Sequence, residues 1–181
     1  PSMRGRRRPI LDSAPTRLRA ALAGRSLPRR GPIAEAVLVD DATTEAVTIV
    51  VARALGGLPL TRTLDHLAIT RGLPKALRTD NGPEFCSRAM LMWAHERGVT
   101  LRVIEPGKPN QNAYIESFNG RFRDECLNEH WFTSIGYAQV VIEAWRREYN
   151  EERPKKSLGG LTPALYARKL TAERSIVTAG L

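Results

Sequence analysis

The sequence predicts an α/β or α+β domain built on a mixed sheet. Three observations carry that expectation. Short β-branched and apolar runs at residues 34–39, 46–51 and 99–104 alternate with segments whose apolar residues recur at helical spacing. Gly, Pro and Asn punctuate the joins between them. The chain's 181 residues, 42% hydrophobic and 26% charged, have ordinary globular composition and suit one domain burying about 70% of its unfolded surface.

Taken in order, residues 34–39 run into the acidic pair Asp40-Asp41, which starts a turn through Ala42-Thr43-Thr44. The β-branched stretch 46–51 then returns, so the pair reads as a hairpin. Leu60, Leu64, Leu67 and Ala68 mark a helix that ends at Arg71-Gly72, with Gly in the capping position and Pro74 just beyond. Residues 75–79 form a short strand that enters the turn Asp80-Asn81-Gly82-Pro83, and Pro83 suits the first turn of a helix reaching about Arg97, closed by Gly98. Residues 99–104 are a further strand. After the rigid polar loop Pro106-Gly107-Lys108-Pro109, residues 113 to about 128 are expected to be helical despite Gly120. Ser134 is placed to cap a second helix, with Tyr137, Val141, Ala144, Trp145 and Tyr149 as its apolar stripe. Pro154 ends that helix, and Thr162-Pro163 opens a short last one.

The charge is uneven. Lys and Arg number 28 against 19 Asp and Glu, a net charge of +9 with a pI near 10.2, which favours a polyanionic partner. Residues 1–31 hold nine arginines (Arg4, Arg6, Arg7, Arg8, Arg17, Arg19, Arg25, Arg29 and Arg30) and one acid, Asp12, so +8 of the +9 lies there and the rest is nearly neutral. This Arg-rich stretch reads as an atypical, poorly ordered arm, either tracking phosphates or simply solvated. No run of 18 apolar residues and no leader pattern is present, so a cytoplasmic protein is expected, with no membrane partner. A membrane-surface role has no amphipathic helix to support it. Cys86 and Cys126 lack the paired spacing of a zinc site or a disulfide framework, and both are expected to be reduced and structural.

Two acids sit where a sheet could bring them together. Asp80 ends a strand and Glu116 lies early in a helix, with 35 residues between them. Two-metal phosphoryl transfer uses acidic oxygens to hold Mg²⁺ ions about 4 Å apart. Each acid alone also fits a helix cap or a surface charge. Asn112, Asn119 and Arg123 share the helix face of Glu116; Arg offers a fork to phosphate and Asn amides reach sugar or base edges. Ile115, Phe118 and Phe122 give the same helix its buried side.

Three motifs then make the sequence familiar. Thr79-Asp80-Asn81-Gly82-Pro83-Glu84-Phe85, Lys108-Pro109-Asn110-Gln111-Asn112-Ala113-Tyr114-Ile115-Glu116-Ser117-Phe118-Asn119-Gly120 and Arg123-Asp124-Glu125-Cys126-Leu127 resemble the integrase-type catalytic core of bacterial insertion-sequence transposases, second-reading-frame type, related to retroviral integrases. Tyr149-Asn150-Glu151-Glu152-Arg153-Pro154 and Leu158-Gly159-Gly160-Leu161-Thr162-Pro163 resemble that family's C-terminal signature, and Val39-Asp40-Asp41 its second strand. The resemblance implies a ribonuclease-H-like fold, a five-stranded mixed sheet with helices on both faces, and a triad of two Asp and one Glu. It implies a DDE-type polynucleotidyl transferase: Mg²⁺- or Mn²⁺-dependent cleavage at transposon ends with water as nucleophile, then joining of a 3′ hydroxyl to target DNA. Asp80 and Glu116 would be catalytic metal ligands in a two-metal site, and Arg123, Asn112, Asn119 and Lys108 candidate DNA contacts. Partners would be transposon-end and target DNA, further copies of the chain in an oligomer on DNA, and an upstream-frame helix-turn-helix subunit.

One departure stands out. The family's first Asp, on its first strand, should fall near position 21, where this chain has Ala21 among Arg19, Ala20, Leu22 and Ala23. Asp12 is the only acid upstream, and using it would require about nine extra residues before the hairpin, counted from the family's strand spacing. The first strand is therefore expected to be atypical or missing, and residues 1–31 to derive from another reading frame or a fusion. The expected organisation is an arm at 1–31, an integrase-type core at 32–168 and a tail at 169–181. The alternative function is a truncated or frameshifted, catalytically inactive remnant that binds DNA or interferes with an intact transposase.

Overall fold

In a computed structural model, the protein is described over residues 17–27, 31–80, 82–104 and 113–179. The described residues form five strands and five α-helices, in the order β1 (Arg17–Leu27), β2 (Gly31–Asp40), β3 (Ala46–Ala52), α1 (Gly57–Arg71), β4 (Ala76–Thr79), α2 (Arg88–Arg97), β5 (Thr100–Val103), α3 (Ala113–Phe122), α4 (Ile135–Glu151) and α5 (Pro163–Ala179). The strands form one sheet in the order β3-β2-β1-β4-β5. β2 pairs antiparallel with β1 and β3, and β4 pairs parallel with β1 and β5.

The sequence leaves the first strand either atypical or missing. It is present, and it is the central strand of the sheet, although its sequence is atypical and it lies within the segment read as an arm. The Arg and Ala content hid it, because β1 lacks the β-branched run that marks β3. Its register is set by ten pairings with β2, from Leu18↔Asp40 to Leu27↔Gly31. At the other end of the chain, α5 continues past residue 168, so the last helix is 17 residues long rather than short.

The alternation of β2 sorts the core into two layers. Val37 and Val39 face α3 and α4, with Ile115, Phe118, Phe122, Trp145 and Tyr149. Ala36 and Leu38 face α1 and α2, with Leu60, Leu64, Met90 and Trp93. Helices therefore cover both faces of the sheet.

The helix ends follow local chemistry. Gly72 and Gly98 close α1 and α2 at φ of 77° and 66°, a region glycine enters without a Cβ clash. Pro83 does not open α2: residues 83–86 are turns, and the helix starts after Ser87, whose Oγ accepts from Met90 N–H. Ser134 caps α4 through Tyr137 N–H at 3.1 Å. The buried stripe of α4 is Ala138, Ile142, Trp145 and Tyr149; Tyr137 and Ala144 are exposed, so the expected stripe is rotated toward the side that meets Phe118. The helix expected over 113–128 divides into α3 and a π turn, Arg123–Leu127, closed by Asn128 N–H to the Arg123 carbonyl at 2.8 Å.

The C-terminal signature is a clamp. Asn150, buried in α4, donates to the Ala46 carbonyl and accepts from the Ala46 N–H, both at 2.9 Å, fastening the start of β3. Arg153 forks between Glu125 on the π turn and Glu148 on α4, and lies over the Trp145 ring at 5.7 Å.

Candidate active site

Asp80 follows the last residue of β4. Its backbone position is held from both sides: Thr79 is buried, its carbonyl accepts from Ile104 N–H at 2.9 Å, and Ala20↔Thr79 is the last parallel pairing with β1. Ala21 follows Ala20 in β1 as Asp80 follows Thr79 at the end of β4. The position at which the resemblance puts a first Asp thus lies one residue past the last β1–β4 pairing, and alanine there offers no ligand. Asp12 lies outside the described residues.

Glu116 is exposed in the first turn of α3. The helix is fixed by what lies around it. Ile115, Phe118 and Phe122 are each at most 2% exposed, and Tyr114 donates through its hydroxyl to the Thr44 carbonyl at 3.0 Å. Thr44 has φ of 58°, the left-handed region, at the turn between β2 and β3. Asp40 shapes that turn by accepting from Ala42 and Thr43 N–H. α3 also packs on β1, so the strand neighbouring Asp80 contacts the helix that carries Glu116. Among the described residues, no group of three His, Cys, Asp or Glu forms a metal cluster. A cation at this edge would rely on carboxylates with water filling the remaining positions, as Mg²⁺ commonly does.

Asn119 is half-buried, and its Oδ1 is buried without a hydrogen-bond partner among the described residues. Arg123 is exposed at the start of the π turn, a single wide turn of the kind that recurs at functional sites. Lys108 and Asn112 lie outside the described residues.

Two features were not assigned from sequence. Glu84, within the Asp80 motif, is 6% exposed, and burial pushes its carboxyl above the usual range, with Asp80 adding to the rise. Its place two residues after Gly82 was the available signal. The second is Lys155, which donates to the Tyr149 hydroxyl at 2.5 Å and lies 4.1 Å from the ring centroid. Burial, then Arg121 and Arg153, lower its pKa to about 8 from 10.5. The folded protein therefore releases this proton before the unfolded chain does, so its contribution makes stability rise with pH from about 8. Burial raises the Tyr149 pKa, which opposes this once unfolded Tyr ionises near about 10. Between those values the denaturant midpoint is expected to rise with pH, and Lys155→Met should flatten the rise; an equal slope in the variant would contradict the assignment.

One cavity among the described residues is lined by neither Asp80 nor Glu116. Its roughly 550 Å³ lies between the end of α1, α4 and α5, with Arg71, Arg146 and Arg168 among its lining residues. Arg71 pairs with Glu45 and Arg146 with Glu143. Cys126 is buried, its thiol pushed up to about 12 by burial and then by Glu35, which leaves it inert, while Cys86 is exposed. No helix among the described residues is long and apolar enough to cross a membrane.

Comparisons with known proteins bear on the family and the fold. Two integrase core domain models match residues 23–109 and 97–163, so the match begins within β1, upstream of the boundary placed at residue 31. The insertion element IS407 uncharacterized 31.7 kDa protein of Burkholderia multivorans is 60% identical over 132 residues, covering 73% of this chain and 48% of that protein. The IS476 uncharacterized 39.2 kDa protein of Xanthomonas euvesicatoria is 53% identical over 138 residues, 76% of this chain and 40% of that one. The chain thus spans about half or less of the length of these relatives. In structure, it resembles the HTLV-2 integrase catalytic core domain in complex with magnesium, with a TM-score of 0.65 and 14% identity over 83% of this chain and 95% of that one. The BIV integrase core gives 0.62 at 18% identity, over 86% and 97%. The fold is ribonuclease-H-like, and the chain belongs to the integrase core domain family, in the form carried by bacterial insertion-sequence transposases.

Proposed function

We propose that this chain is a transposase catalytic core that binds DNA and carries out metal-dependent strand cleavage and strand transfer at the β4–α3 edge. The observation that carries the reading is the register Ala20↔Thr79, which sets Asp80 beside β1, the strand on which the Glu116 helix packs. Asp80 and Glu116 would hold Mg²⁺ or Mn²⁺, hard cations that suit carboxylate oxygen. Bound there, the cation supplies Lewis-acid charge neutralisation at a phosphodiester. Arg123 offers a two-point fork to a phosphate, and Asn119 an amide to sugar or base. Water attacks phosphorus and the 3′ oxygen leaves as a hydroxyl; that hydroxyl then attacks a target phosphodiester, whose own 3′ oxygen leaves. The partners are DNA and further copies of the chain, with an upstream-frame DNA-recognition subunit for end selection.

A second reading draws on Ala21: a chain that binds DNA or joins mixed assemblies without cutting. Nicking of DNA bearing the element's ends separates the two. The catalytic reading expects Mg²⁺- or Mn²⁺-dependent nicks that Glu116→Gln lowers at least about 100-fold, the loss of several kcal/mol of charge stabilisation. Binding without nicks at any concentration of either ion would favour the second.

A further inference from the structure

We propose that Glu84 is a further metal-ligating residue, sharing a divalent cation with Asp80. This rests on the reading of Asp80 as a ligand and names a partner for it. Residues 82–86 form a tight turn: Phe85 and Cys86 N–H both bond the Gly82 carbonyl, at 3.0 and 3.1 Å. Ser87 Oγ–H adds a bond to the Glu84 carbonyl at 2.7 Å. The turn folds the Glu84 side chain back over Gly82 toward Asp80. A Cβ at position 82 would overlap Glu84 Oε1 and lie 3.1 Å from Asp80 Oδ1, so both oxygens border the same small volume, open only because residue 82 is glycine.

Glu84 is 94% buried, yet its Oε1 has no hydrogen-bond partner among the described residues. A buried carboxylate oxygen without a donor is costly, and an acid next to it makes the cost larger. A cation between the two removes both penalties. Asp80 keeps the site open to water, being half-exposed, and position 21 supplies no competing carboxylate. Two carboxylates with waters completing the octahedron match Mg²⁺ and its usual substitute Mn²⁺.

The test is Mn²⁺ titration of the metal-stripped full chain, followed by electron paramagnetic resonance of free Mn²⁺ and by the metal-induced rise in melting temperature. Glu84→Gln should weaken Mn²⁺ at least tenfold and remove that rise. Parental affinity in Glu84→Gln alongside a loss in Asp80→Asn would overturn the role of Glu84 and leave the Asp80–Glu116 reading standing. Unchanged affinity in Asp80→Asn and Glu116→Gln, or no binding by the parent, would overturn both. Should Glu84→Gln fail to fold, Glu84→Asp decides: withdrawing the carboxylate by one methylene should weaken binding at least threefold, and an unchanged affinity overturns the proposal.

Discussion

Replacing Ala21 by aspartate is expected to raise Mn²⁺-dependent DNA nicking at least about 100-fold over the parent chain, while Ala21→Asn leaves it at the parental level. The reason is positional. Pairing of β1 with β2 runs without a break through Ala21↔Val37, and the parallel pairing with β4 ends at Ala20↔Thr79, one residue before position 21 and Asp80. A carboxylate there adds a further hard oxygen ligand, whereas the amide of the same size adds no charge. Metal-centred charge stabilisation is worth several kcal/mol, and about 3 kcal/mol corresponds to two decades of rate. Nicking by Ala21→Asp no faster than by Ala21→Asn would remove position 21 from the site.

The second large effect concerns stability. Phe118→Ala should cost about 3–5 kcal/mol and lower the melting temperature by about 6–20 °C. Phe118 is 2% exposed, and its ring meets Tyr149 at 4.9 Å, Trp145 at 5.6 Å and Phe122 at 6.4 Å. Removing it opens a cavity between α3 and α4 directly behind the turn that carries Glu116. A loss below about 1 kcal/mol would mean that α3 is held chiefly by the Tyr114 hydrogen bond to the Thr44 carbonyl rather than by this aromatic cluster.

Where residue type and period agree, the fold is legible in the sequence. The β2–β3 hairpin, α1 with its Gly72 stop, α2 with its Gly98 stop and the Ser134 cap all follow from local chemistry. β1 was hidden because Arg17–Leu27 carries no β-branched residue, and its place in the sheet comes from pairing on both sides rather than from propensity. The rotation of the α4 stripe was equally illegible: Ala138 is buried and Tyr137 exposed, a choice that goes with the packing of Trp145 and Tyr149 on Phe118. The Glu125 of the π turn had no local signal either, since its partners Trp145 and Arg153 lie on and beyond α4. At the proposed site, Asp80 and Glu116 are candidates from motif and spacing alone. Glu84 is not, because its burial and its approach to Asp80 across Gly82 depend on the three-dimensional path of a five-residue turn. The Tyr149-Asn150 and Arg153 signature, readable as a motif, acquires a physical role only once Ala46 and Glu125 are seen as its partners.

The central claim is that the Asp80–Glu116 edge is where a divalent cation meets DNA. Its most direct test is an anomalous difference map from Mn²⁺-soaked crystals of the chain, in the parent and in Ala21→Asp. The account predicts a Mn²⁺ peak within about 2.3 Å of an Asp80 carboxylate oxygen in the parent. In Ala21→Asp it predicts a second peak about 4 Å from the first, in reach of Glu116 or the new carboxylate. A map with no peak at Asp80 in either crystal, at Mn²⁺ concentrations that saturate binding in solution, would contradict it.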